Sequence, residues 1–105
     1  MKKQNYNQKR AQGEGDKFVK VNKFLKILAD ENRLKILLAL KGKTMNVTEI
    51  HNQLHLPQNL TSHHISKLKS LGLLNEKQEG TFRHYSVNAK NLKELNRAFR
   101  ELLGI

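Results

Sequence analysis

The strongest constraint on the fold is a pair of short helical segments joined by a tight turn. The first begins in "MNVTEI", where Asn46 as N-cap and Glu49 three residues later form a capping box, and it ends near His55. The second follows Pro57, the only proline of the chain, which can begin a helix but not continue one. It runs from about Gln58 to Ser70. Two short helices around a tight turn are typical of a helix-turn-helix.

The apolar pattern changes its period after Gly72. The segment "LLNEKQEGTFRHYSV" predicts two short strands around a turn at Glu79–Gly80. Phe82, Tyr85 and Val87 supply the aromatic and β-branched residues that strands favour. A β-hairpin that follows a helix-turn-helix is typical of a winged helix.

Three further helices complete the predicted fold. Helical spacing predicts one helix from Asp16, a second capped by Asp30, and a last one from Lys90. The fold class is therefore mostly α with a small β-hairpin: a winged helix-turn-helix of about five helices plus a two-stranded wing. Residues 16–105 form one domain, and residues 1–15, almost free of aliphatic side chains, form a disordered basic arm.

The charge of the chain indicates a polyanion as its partner. Twenty lysine and arginine residues oppose nine acidic residues in 105, a formal net charge of +11. The chain has no cysteine, which excludes disulfides and thiolate metal sites. No apolar run approaches the ~20 residues of a membrane span, and the N-terminus lacks the apolar core of a signal peptide. We therefore expect a cytoplasmic protein without membrane contact.

The helix at residues 58–70 has the pattern of a helix that reads DNA. Successive helical residues turn by about 100°, so His63 and His64 lie on different faces. With Ile65 and Leu68 toward the core, His64 borders the core and His63 faces outward. The outer face is polar and basic, and the helix has no acidic residue, as major-groove reading requires. The predicted DNA contacts are Gln58, Asn59, Leu60, Ser62, His63, Ser66 and Lys67 on the helix, and Lys77, Arg83 and His84 on the wing.

Two groups of these contacts have an alternative interpretation. Leu60 packs either against a thymine methyl group or over the turn before the helix, and the sequence favours neither. Each wing residue either contacts phosphate or the minor groove, or belongs to an ordinary solvated hairpin.

Two stretches of the chain match motifs of a known family. "LADENRLKILLAL" contains the pattern L-x-D-x-x-R-L-x-I-L at Leu28, Asp30, Arg33, Leu34, Ile36 and Leu37. "LPQNLTSHHISKLKSLGLLNEKQEGTFRHYSV" contains the end of S-x-S-x-x-S-H-H-L, then a glycine–leucine pair, a wing glycine and a tyrosine, at Ser62, His63, His64, Ile65, Gly72, Leu73, Gly80 and Tyr85. Over roughly residues 16–103 the chain thus resembles the ArsR/SmtB family of winged-helix transcriptional repressors. The resemblance implies a homodimer, built largely from the first and last helices, that binds an imperfect DNA palindrome and represses nearby transcription.

The chain departs from this family at both of its common metal sites. The Cys-x-Cys site of the family falls at Asn46 and Thr48, and the last helix, "AKNLKELNRAFRELLGI", lacks the Asp and His of the second site. We therefore predict no metal and no cofactor, and the inducer stays unknown. His51 and His55, at i and i+4, leave a metal-responsive repressor as an alternative. Two solvent-facing imidazoles are the simpler interpretation.

Apolar stripes on the first and last helices predict an interface between two copies of the chain. They flank a domain of marginal size, so we expect them to form a homodimer. The predicted interface residues are Phe18, Val21, Leu25, Leu28, Leu92, Leu95, Phe99 and Leu102.

These features together predict a sequence-specific DNA-binding transcriptional regulator whose partners are double-stranded DNA and a second copy of itself. As a homodimeric repressor it would read the major groove with helix 58–70 and grip flanking phosphates with the wing at 75–87. We expect no enzymatic activity, because the chain has no nucleophile–base pair with a supporting acid and no phosphate-binding glycine loop. The alternative is a non-enzymatic winged-helix module that binds protein and whose basic charge is incidental.

Overall fold

A computed structural model describes residues 12–105, and these residues form five helices and three strands. Along the chain they are α1 (Gln12–Leu28), α2 (Glu31–Ala39), β1 (Met45–Asn46), α3 (Val47–Leu54), α4 (Gln58–Ser70), β2 (Leu74–Glu79), β3 (Phe82–Val87) and α5 (Ala89–Leu103). The predicted winged helix-turn-helix is confirmed. Residues 1–11 of the predicted basic arm lie outside the described residues. None of the helices in the described part of the chain has the length and apolarity needed to cross a bilayer.

The start of α1 differs from the prediction. The helix already includes residues 12–15, so the predicted start at Asp16 is wrong. Gly13 and Gly15 lie in the first turn, and glycine is a poor helix former. Local propensity therefore predicts a start that lies inside the helix.

The starts of α2 and α3 follow their sequence signals. Asp30 caps α2 by accepting a hydrogen bond from the Arg33 amide at 3.0 Å. Asn46 and Glu49 form the predicted capping box, with both side chain-to-amide distances at 2.9 Å. Three backbone donors at helix starts thus have side-chain partners, which fixes where these helices begin.

The helix α4 has the predicted bounds, Gln58–Ser70. Pro57 precedes it without a side-chain cap, and its carbonyl accepts from both the amide and the hydroxyl of Thr61 at 3.0 Å. At the other end Gly72 adopts a φ of +73°, and a Cβ there would lie 2.7 Å from Asn91 Nδ2. Asn91, in α5, donates to the carbonyls of Leu71 and Gly72 at 2.9 and 3.0 Å. The end of α4 is therefore tied to the last helix.

The wing is part of a three-stranded antiparallel sheet in the order β1-β3-β2. The two-stranded prediction omitted β1, which has only two residues and overlaps the capping box of α3. The register pairs Glu79 with Phe82, so the turn consists of Gly80 and Thr81. The predicted turn at Glu79–Gly80 is wrong by one residue. Gly80 takes a positive φ of 62°, as the first turn residue of a tight hairpin often must.

The core lies between α2, α3, α4 and the base of the wing. Its most buried side chains are Ile36, Leu40, Ile50, Leu68 and Leu73. Buried Tyr85 joins the wing to this core, and α1 packs against α5 beside it. Since α4 contributes its inner face to the core, its opposite face is left to solvent.

Candidate nucleic-acid interface

The outer face of α4 is one continuous polar strip. The inner side of α4 carries buried residues that recur every three or four positions: Thr61, His64, Ile65 and Leu68. Of the predicted helix contacts, six are exposed: Gln58, Asn59, Ser62, His63, Ser66 and Lys67. Leu60 is half-buried at the edge of the strip. The structure thus brings these side chains together on one surface, and their contact with DNA stays a prediction.

His63 and His64 have separate environments, as the helical geometry predicts. Their ring centroids are 5.9 Å apart with the planes tilted by 58°. His63 is exposed, whereas His64 is only 6% exposed. The Nδ1 atom of His64 lies 3.2 Å from Arg33 Nη1. Because a guanidinium only donates, Nδ1 must accept, and the proton of neutral His64 sits on Nε2.

The electrostatic environment of His64 favours its neutral form. Burial lowers the pKa of His64, and the charges of Arg33 and His63 act in the same direction. Asp30 opposes them, since its Oδ1 lies 4.0 Å from His64 Nε2. His64 is therefore uncharged at neutral pH and serves as an acceptor for Arg33.

No acidic side chain interrupts the outer face of α4. The helix sequence QNLTSHHISKLKS contains hydroxyls, amides, imidazoles and amines but no carboxylate. Hydroxyls and amides pair with base edges, and amines pair with phosphate or guanine. This face can therefore donate and accept toward a major groove without repelling the phosphates on either side.

The wing presents its cations in a different way. Lys77 and His84 are paired across the hairpin and share one face, and both approach Glu79 at 3.5 Å. Arg83 lies on the opposite face, with its Nε 3.5 Å from Glu76. Every predicted wing contact therefore has a carboxylate beside it. Exposed pairs of this kind contribute little stability and exchange readily with other charges.

An ion pair that the sequence did not reveal links α4 to the wing. Lys69 bonds to Glu76 of β2, and this bond is the main cause that lowers the pKa of Glu76. Arg83 approaches the same carboxylate. Glu76 thus holds one cation from the recognition helix and one from the wing. No local pattern marks this contact, because it forms only when β2 turns back beside α4.

A groove separates the tip of the wing from the starts of α3 and α4. It has a volume of about 310 Å³ and is lined by Asn46, Val47, Thr48, Gln58, Thr81, Phe82, Arg83 and Tyr85. Phe82 is 53% exposed at its rim, although apolar side chains usually avoid water. The groove lies between the predicted contacts of the helix and those of the wing.

His51 lies within α3, whereas His55 follows the end of this helix. His55 is the C-cap of α3 and adopts a left-handed conformation with φ 55°. Among residues 12–105, no group of three histidine, cysteine or acidic residues is arranged to hold a metal ion.

A second surface lies between α1 and α5. A groove of about 300 Å³ runs between these helices and is lined by Phe18, Val21, Asn22, Leu25, Phe99, Leu102 and Leu103. Phe18, Leu25 and Leu103 are between 41% and 60% exposed, and the sequence analysis did not select Leu103. Val21 and Leu95 are buried within the described chain, and Leu28 and Leu92 pack partly against the core. The predicted interface residues therefore form an exposed apolar layer and a buried layer beneath it.

Both the sequence and the fold resemble those of known regulatory proteins. Residues 30–76 match the family described as "Bacterial regulatory protein, arsR family". The cadmium resistance transcriptional regulatory protein CadC of Listeria innocua is 42% identical over 77 residues, which cover 72% of this chain and 63% of that protein. The chain thus spans less than two thirds of the length of that relative. An uncharacterized HTH-type transcriptional regulator of Methanocaldococcus jannaschii is 33% identical over 88 residues, which cover 83% of this chain and 99% of that protein.

Solved structures show the same fold. Reduced HlyU from Vibrio cholerae superimposes with a TM-score of 0.68 at 27% identity, covering 86% of this chain and 96% of that one. NolR from Sinorhizobium fredii superimposes with a TM-score of 0.71 at 25% identity, covering 90% and 95%. HlyU of Vibrio cholerae is named a transcriptional activator.

Proposed function

This chain belongs to the ArsR family of bacterial regulatory proteins, and from that premise we propose that it is a sequence-specific DNA-binding transcriptional regulator. The observation that supports this most is the outer face of α4, which is exposed, polar, basic and free of carboxylates. A helix of this kind enters a major groove with its N-terminal residues against base edges. Asn59 and His63 are the residues that read bases, and Lys67 contacts a phosphate or a guanine.

The groove between helix and wing suits the sugar–phosphate strand that separates two DNA grooves. Gln58 and Thr48 line one wall and Arg83 the other, so polar groups from three elements face the same strand. On contact with DNA, Arg83 and Lys69 exchange Glu76 for phosphate. The wing therefore adds affinity that depends on salt, with little preference for base sequence.

The protein works as a homodimer in this proposal. The groove between α1 and α5 is lined almost wholly by apolar side chains, and Phe18, Leu25 and Leu103 in it are between 41% and 60% exposed, which favours burial of this surface against a second copy. A two-fold pair of α4 helices then meets two half-sites about one helical turn apart, ~34 Å. Sedimentation tests this point: the wild type should be dimeric at micromolar concentration, and Leu25→Glu should be monomeric.

Repression and location complete the proposal. Repression rests on the motifs shared with the ArsR/SmtB repressors, and a reporter gene with the bound duplex beside its promoter tests it. A regulator of this kind must reach the chromosome, so we place it in the cytoplasm. The chain serves as a binding protein and not as an enzyme.

Titration with duplex DNA is the test of DNA binding itself. The wild type should bind random duplex at moderate salt, with log affinity falling by about 0.9 per neutralised phosphate for each unit of log salt. It should bind a duplex selected from a random pool at least ~10³-fold more tightly than random duplex. Early elution from heparin, together with no enriched duplex, would support a protein-binding module instead.

Zinc addition to the selected complex tests the metal-responsive alternative. The CadC relative is named for cadmium resistance, whereas this chain has no cysteine. Release of DNA by zinc from the wild type, but not from His51→Ala, would support that alternative.

A further inference from the structure

The side chain of Arg33 joins three helices. It belongs to α2, and its Nε donates to the carbonyl of Ile27 in the last turn of α1 at 2.6 Å. Its Nη1 donates to Nδ1 of His64 in α4 at 3.2 Å. One planar guanidinium thus spans the end of the first helix and the middle of the recognition helix.

This contact joins the two helices that carry the proposed functional surfaces. α1 packs mainly against α5 and also against α2, whereas α4 packs against α2, α3 and β2. α1, which carries part of the proposed dimer surface, is therefore connected to α4 chiefly through its packing against α2. Arg33 bridges that step directly, because Ile27 has one of the last carbonyls of α1, which lack helical donors. The Asn91 bonds from α5 to the end of α4 provide a second link on the other side.

We propose that Arg33 and His64 are positioning residues for DNA recognition. They hold α4 at one angle to α1, so that the two recognition helices of a dimer stand at one spacing. This inference rests on the proposed function, because a fixed spacing matters only for a dimer on two half-sites. Neither residue needs to touch DNA: His64 is 6% exposed and points to the core side of α4.

The charge state of His64 decides whether the link forms. Arginine has no acceptor, so the imidazole must offer an unprotonated Nδ1. The charged or titratable groups around the ring are Arg33 and Asp30 from α2 and its cap, and His63 from α4 itself. A proton on Nδ1 would set an N–H against the guanidinium and break the link. Spacing control should therefore weaken in acid.

Two substitutions at His64 separate the hydrogen bond from the packing. His64→Leu fills the buried space without an acceptor, whereas His64→Asn places a carbonyl oxygen near the position of Nδ1. The measurement is affinity for three duplexes built from the selected sequence: two half-sites at the selected spacing, two half-sites moved apart by two base pairs, and one half-site. The ratio of the first two affinities is the spacing preference.

We expect His64→Leu to lose about tenfold on the selected spacing, the factor that corresponds to one hydrogen bond to a charged group. Its affinity for the single half-site should change less than about twofold, so the spacing preference falls. His64→Asn should keep most of the preference. For the wild type the preference should fall as pH drops from 7 to 5.5, and His64→Asn should not show this dependence, since an amide does not titrate.

An unchanged spacing preference in His64→Leu would overturn the inference. If that variant does not fold, Arg33→Lys replaces it, because an ammonium cannot hold Ile27 and His64 together as the guanidinium fork does. An unchanged preference in Arg33→Lys would then overturn it. A wild type that binds none of the three duplexes would contradict the proposed function instead, so the two failures are distinguishable.

Discussion

The recognition helix and the wing both expose basic side chains, but the carboxylates that pair with them, including the Glu76 partner of Lys69, all belong to the wing. α4 has no carboxylate at all, whereas Lys77, Arg83 and His84 of the wing each lie 3.5 Å from Glu76 or Glu79. A phosphate that approaches the wing must displace a carboxylate, and the gain is the difference between two similar interactions. The comparison indicates that α4 supplies specificity and that the wing adds a modest, salt-sensitive grip.

The largest expected effect is the loss of one base-reading side chain from α4. Asn59→Ala or His63→Ala should weaken binding to the selected duplex by about 1–3 kcal/mol and relax preference at one base position. A series of duplexes with one base pair changed at a time measures this. Equal losses on every duplex would remove the base-reading role of the helix.

A smaller effect is expected for the amine on the same face. Lys67→Ala should weaken selected and random duplexes by a similar factor and reduce the salt slope by about 0.9, since one phosphate contact is lost. Affinities at four salt concentrations give the slope. If the loss is confined to the selected duplex, Lys67 reads guanine instead.

A change of opposite sign is expected on the wing. Glu76→Gln frees Lys69 and Arg83 from their shared carboxylate, so random duplex should bind a few-fold more tightly at low salt. Glu31→Gln is the matched control, because it removes an exposed ion pair with Lys35 on α2, away from the site. Weaker binding by Glu76→Gln would mean that Glu76 organises the two cations for phosphate and does not compete with it.

The smallest effects concern pH and stability, and they too divide between the two regions. Burial lowers the pKa of His64 in the folded state, so the unfolded chain binds this proton at a higher pH than the folded chain does. The free energy of unfolding therefore decreases as pH drops below about 6.5. The pKa of Glu76 is lowered by the Lys69 bond, so its contribution persists until pH falls below the ordinary glutamate range, about 4.3.

Unfolding midpoints between pH 7.5 and 3.5 check both contributions. His64→Asn should remove the part of the decline that lies near pH 6, and Glu76→Gln should remove only part of the decline below about pH 4.5. A midpoint that rises as pH drops from 7 to 5.5 would show that His64 is stabilised in its charged form, contrary to its environment.

The bounds of α4 and the faces of its residues could be predicted from the sequence, whereas only the general form of the wing could. Pro57 and Gly72 mark both ends of α4, and the 100° turn per residue assigns His63 and His64 to different faces. These signals are local and act within a few residues. The two-residue strand β1 and the shift of the hairpin turn by one residue depend on pairing across the sheet, which no local pattern specifies.

The contacts that the sequence did not reveal are long-range. Lys69 meets Glu76 and Arg33 meets His64 only after distant segments pack together. The predicted start of α1 at Asp16 was wrong for another reason, because the helix includes Gly13 and Gly15, which are poor helix formers.

Selection of bound duplexes from a random pool, carried out with the wild type, His63→Ala and Arg83→Ala in parallel, tests the central claim most directly. We predict that the wild type enriches an imperfect palindrome with half-sites one helical turn apart. His63→Ala should enrich the same palindrome with one position relaxed in each half-site, and Arg83→Ala should enrich it unchanged. The account would be contradicted if the wing variant altered the selected sequence while the α4 variant left it intact.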